Sequence, residues 1–165
     1  MKSKSIKLIS CVFSILIFLS FKSKLQGTSS EFESNLALEL KNEIDGLELN
    51  SKAFRENKIS IDSLQKVYLD CRKAYKKVEF QLAFQFPEYV SSKINGAPLL
   101  HIEKENSRPI LANPEGLQVL DELIFSEESA ENKNEIANLA IRLNNTYQNI
   151  YKKVSIEPLN SADAI

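Results

Sequence analysis

The sequence predicts an all-α fold, an incomplete up-down bundle of three long and two short helices behind an N-terminal signal segment. Apolar residues recur at spacings of three and four along three long stretches, which is the period of a buried helix face. Proline, glycine and capping residues stand where those stretches stop. No internal repeat, low-complexity tract or strand-rich region interrupts them.

Thr28 and Glu31 have the spacing of a capping box. Phe32, Leu36, Leu40, Ile44 and Leu47 follow on one face, so a helix is expected over about 30–56, with Gly46 a mild weakness. Ser60 caps the next helix, whose apolar face is Leu64, Val67, Tyr68, Cys71, Ala74, Tyr75, Val78 and Leu82. Pro87 disfavours helix at Phe86 and opens a short helix through Lys93. Residues 95–113 read as irregular, starting with the turn Asn95-Gly96-Ala97-Pro98. Asn113-Pro114-Glu115 reads as a helix start, with Leu117, Leu120 and Ile124 facing inward. The last helix is expected to begin around Ser126 to Ser129. Its face runs Ile136, Leu139, Ala140, Leu143, Tyr147, Ile150, Tyr151 and Val154, and it ends before Pro158.

The N-terminus has the form of an export signal. Lys2, Lys4 and Lys7 precede the apolar run Leu8 to Phe21. At ~1.5 Å per residue that run is short for a ~30 Å hydrocarbon core. Residues 1–27 are therefore read as a signal peptide, with an uncleaved inner-membrane tether as the rival, and the chain as periplasmic. Residues 28–156 form the bundle and 157–165 a tail. The Leu8-Ile9-Ser10-Cys11 string is not a lipoprotein signal, because its apolar stretch follows the cysteine.

Composition excludes several functions. The 165 residues hold one His, two Cys and four Gly. No His-rich metal centre, four-cysteine zinc site or Gly-rich phosphate loop can be built from them. There is no C-x-x-C-H, so no haem c is bound by this chain. Removing 1–27 takes five lysines and no acid, leaving 16 basic and 22 acidic residues. That balance argues against nucleic-acid binding. Cys71 then has no intrachain partner and reads as a small core residue.

The charged residues carry the remaining chemistry. Arg72, Tyr75, Lys76 and Glu79 share one side of the second helix. Glu115 and Glu122 share a side of the fourth, so Arg72 and Lys76 are expected to face Glu115 and Glu122 in a structural ion-pair cluster that pins two helices. The rival reading is a carboxylate metal site of Glu79, Glu115 and Glu122, with His101 as a further ligand. No Glu-x-x-His pair accompanies it. No catalytic residue is assigned: His101 has no nucleophile motif around it.

The stretch Cys71-Arg72-Lys73-Ala74-Tyr75-Lys76-Lys77-Val78-Glu79-Phe80 resembles the imelysin-like helical region at the N-terminus of exported bacterial di-haem cytochrome c peroxidase family proteins. Ile94-Asn95-Gly96-Ala97-Pro98-Leu99, Ile102-Glu103 and Pro114 through Phe125 continue the likeness, which covers about residues 60–126. The resemblance implies a helical domain that precedes two c-type haems reducing hydrogen peroxide. This chain holds neither haem motif, so none of the family's catalytic residues is carried over. The reading is a non-catalytic domain, truncated or split from a haem peroxidase, or docking to one or to its electron donor. The Tyr147, Ile150, Tyr151, Val154 end of the last helix is its expected docking surface. An imelysin-like iron-binding module is the alternative. Against that family's G-x-H-x-x-E motif, Leu99 stands in place of Gly and Lys104 in place of Glu around His101. A third reading is peroxidase chemistry with non-covalent haem.

Overall fold

A computed structural model describes residues 34–103 and 110–154. The expectations for the 1–27 signal, the Thr28–Glu31 capping box, Phe32 and the 157–165 tail lie outside the described residues. From Leu36 onward the described residues belong to one compact unit.

The all-α prediction holds. α1 covers 34–55 and α2 Ile61–Gln85. A single turn, α3, runs Pro87–Tyr89 and continues as a wider π-turn over Val90–Ile94. α4 is Leu117–Phe125 and α5 is Lys133–Val154. α2 packs on α4, α4 on α5, and the π-turn on both α2 and α5.

The periodic positions form the core. Leu40, Ile44 and Leu47 of α1 meet Leu64, Tyr68, Cys71, Tyr75 and Leu82 of α2 there. Leu117, Leu120 and Ile124 of α4 and Ile136, Leu143 and Tyr147 of α5 complete it. Burying each large aliphatic side chain stabilises by roughly 1.5–3 kcal/mol against leaving it in water. Two tyrosines cross-brace the helices through their hydroxyls. Tyr68 Oη donates to the Leu117 carbonyl at 2.8 Å, and Tyr147 Oη to the Ala37 carbonyl at 3.0 Å.

The helix ends follow local chemistry. Asn57, at φ 59°, turns the chain after α1, and the Lys58 amide donates back to the Ala53 carbonyl at 2.8 Å. Asn tolerates this left-handed conformation better than most residues. Ser60 Oγ accepts from the Ser63 amide at the start of α2. Phe86, before Pro87, leaves the helical region at φ −135°, ψ 54°.

Three expectations are corrected. Residues 95–113 are not irregular throughout. His101–Glu103 (β1) and Ile110–Ala112 (β2) pair antiparallel, with Ile102 opposite Leu111. Strands of three residues are too short to show an alternating pattern. The fourth helix does not begin at Asn113-Pro114-Glu115 but at Leu117, because Gly116 pairs its backbone with Asn95 and must stay extended. The last helix begins at Lys133 rather than around Ser126 to Ser129. Ser126 is extended at ψ 156°, and Glu127, Glu128, Ala130 and Glu131 are exposed, so a helix there would have no apolar face to bury. Its first buried apolar residue is Ile136.

Candidate functional site

The most elaborate polar arrangement among the described residues lies where the π-turn meets the start of α4. It begins with a register problem. The π-turn ends with the Asn95 amide donating to the Val90 carbonyl at 2.8 Å, one residue wider than an α-helical bond. Ser91 and Ser92 hydroxyls both donate to the Glu88 carbonyl, at 3.1 and 2.6 Å, drawing on an acceptor of the preceding turn. Asn95 then forms an isolated antiparallel bridge with Gly116.

That bridge needs two glycines. A Cβ on Gly116 would lie 2.8 Å from the Ile94 carbonyl oxygen, and its φ of 106° is a region that L side chains rarely enter. A Cβ on Gly96 would lie 2.5 Å from the Glu115 carbonyl oxygen. The two backbones therefore approach closely only because both positions lack side chains.

Side chains from three helices lock the bridge. Arg72 of α2 donates from a guanidinium nitrogen to Asn95 Oδ1. Gln118 of α4 donates to the Asn95 carbonyl at 2.9 Å. Lys93 of the π-turn pairs with Glu115 at 3.0 Å, and Arg142 of α5 approaches the other oxygen of the same carboxylate at 3.3 Å. The Glu115 side chain is only 16% exposed, so its two cations offset the loss of water around the carboxylate. The Arg72 guanidinium also lies 5.8 Å from the centre of the Tyr75 ring. With Glu115 held between two cations and Arg72 held on Asn95, this junction positions elements.

The sequence-predicted cluster of Arg72, Lys76, Glu79, Glu115 and Glu122 is divided rather than continuous. Lys76 pairs with Glu79 at 2.6 Å within α2. Arg72 goes to Asn95 and Glu115 to Lys93 and Arg142. Glu122 is exposed on α4. Their failure to meet is a matter of rotation: α2 turns Arg72 toward the loop, while the extended Gly116 takes Glu115 off the helix. His101 starts β1 opposite Ala112. Among the described residues no group of three or more His, Cys, Asp or Glu is arranged to hold a metal ion. Lys93, Gln118 and Arg142 had no local signature in the sequence. The signal that could have found Asn95 was the Asn95-Gly96 turn pair, and Gly116 was open to the same reading.

The surface expected at the end of α5 is corrected. Tyr147 is fully buried and Ile150 is 3% exposed, so both belong to the core and not to a docking face. The sequence holds no C-x-x-C-H, and Cys71 is buried among core side chains, where loss of solvent pushes its thiol up to about 12. A shallow cleft of about 160 Å³ lies between Phe86, Tyr89, Asn145, Asn149 and Lys153. No match was found among protein families, curated proteins or solved structures.

Proposed function

We propose that this chain is an exported, non-catalytic helical docking domain, and that its partner is a haem-peroxidase domain or that protein's electron donor. The observation that supports the reading is a convergence. The stretches that carry the resemblance to di-haem peroxidase family proteins, 71–80, 94–99 and 114–125, are far apart in the sequence. Arg72, Asn95, Gly116 and Gln118 bring all three to one junction. A few residues along the chain from Asn95, Leu99 and Leu100 stand in solvent, 71% and 58% exposed, where a partner would cover them.

The test is a calorimetric titration of the full chain into a purified di-haem peroxidase encoded by the same genome. Saturable binding is expected, with loss in the Leu99→Ser, Leu100→Ser double variant. Absence of binding by the unaltered chain, or undiminished binding by the double variant, overturns the reading.

A further inference from the structure

The outward face of α2 differs from the rest of this acidic chain. Phe80 points directly away from the core and is 83% exposed, and Phe84, one turn later, is 50% exposed. Leu69, on the same line, is also exposed. Exposing two phenylalanines on one face forfeits burial that a folded chain otherwise captures. Lysines also crowd this face, with their carboxylate partners along its borders. Within about 60° of Phe80 around the helix axis stand Lys66, Lys73, Lys76 and Lys77, against Asp62 alone. Lys73, Lys76 and Lys77 pair with Asp70, Glu79 and Glu39 at the flanks. Those pairs are solvent-exposed and worth little, so an external anion can compete for the ammonium groups.

From this face we infer that α2 rests on an anionic lipid surface, its phenylalanines entering the headgroup boundary and its lysines meeting lipid phosphates. Aromatic side chains flanked by lysine on one helical face are the composition of an interfacial helix, and lysines near such a surface are drawn to its anionic headgroups. None of the described helices is long and apolar enough to cross a membrane. A second copy of the chain is the poorer occupant, because two-fold pairing would set lysine against lysine.

The chain has no tryptophan, so one introduced on this face reports that face alone, independently of any other lipid-binding segment. The full-length Phe80→Trp variant is mixed with vesicles of phosphatidylcholine containing or lacking phosphatidylglycerol. Asn138→Trp, at an exposed position of α5, is the control. A blue-shifted emission is expected for Phe80→Trp on anionic vesicles only. High salt should reverse it, and Lys73→Glu with Lys77→Glu should abolish it. Unchanged Phe80→Trp emission overturns the inference, as does an equal shift on neutral vesicles or at position 138. A lipid-free shift that grows with protein concentration overturns it in favour of self-association.

Discussion

Replacing Gly116 by alanine puts the junction to its severest test. The substitution carries two costs. A φ of 106° with ψ −171° lies in a region that is essentially glycine-only, and forcing another residue there costs about 1–3 kcal/mol. The added Cβ would also stand 2.8 Å from the Ile94 carbonyl oxygen and 2.9 Å from the Gly96 nitrogen, both backbone atoms that cannot rotate aside. The Asn95–Gly116 bridge must then open. The Gln118–Asn95 hydrogen bond and the Lys93–Glu115 pair move with it, at roughly 0.5–1.5 kcal/mol for each bond lost. The sum is a destabilisation of about 2–6 kcal/mol. Urea denaturation followed by circular dichroism measures it as a lowered midpoint at unchanged slope. Gly46→Ala is the internal contrast. It sits mid-helix with nothing within 4 Å of its Cβ direction, and should gain roughly 0.5–1 kcal/mol. A Gly116→Ala midpoint equal to that of the unaltered chain would refute the claim that this bridge fixes the start of α4.

The three buried tyrosines separate by their hydroxyls. Tyr68→Phe and Tyr147→Phe each lose a bond to a carbonyl and should cost about 1–1.5 kcal/mol, whereas the Tyr75 hydroxyl has Glu79 nearby but no well-formed hydrogen bond, so Tyr75→Phe should stay within about 0.5 kcal/mol in the same denaturation assay. Arg72→Ala should destabilise by about 1–3 kcal/mol by leaving Asn95 unmatched, while Glu122→Ala on the exposed side of α4 should stay within about 0.5 kcal/mol by thermal melting. Alkali should unfold the chain. Burial raises the Cys71 thiol and the Tyr68, Tyr75 and Tyr147 phenols above their ordinary values of 9.0 and 10.0, so the folded state holds protons that the unfolded state releases. Stability is then fully present below pH about 9 and falls toward pH about 12, checked by urea midpoints across that range. Thiol titration with a chromogenic disulfide at pH about 8 should find Cys71 unreactive until denaturant is added.

The sequence by itself determined the helices and their buried faces. Leu40, Ile44 and Leu47, or Leu64, Tyr68 and Cys71, lie inside because a 3.6-residue period leaves one stripe apolar, and that stripe has nowhere else to go. Ser60 and Pro87 marked helix ends because capping and ring geometry act over a few residues. Tertiary structure decided what depends on distant backbone. Asn113-Pro114-Glu115 has the local chemistry of a helix start, but a bridge to Asn95, twenty-one residues earlier, holds Gly116 extended and delays the helix. It also decided which charges meet. Arg72 and Glu115 are each placed by the rotation of their own element, and the partners they find, Asn95, Lys93 and Arg142, lie on segments whose proximity no local spacing encodes. Periodicity fixes which way a side chain points along its own helix, and only packing against the other helices fixes what it points at.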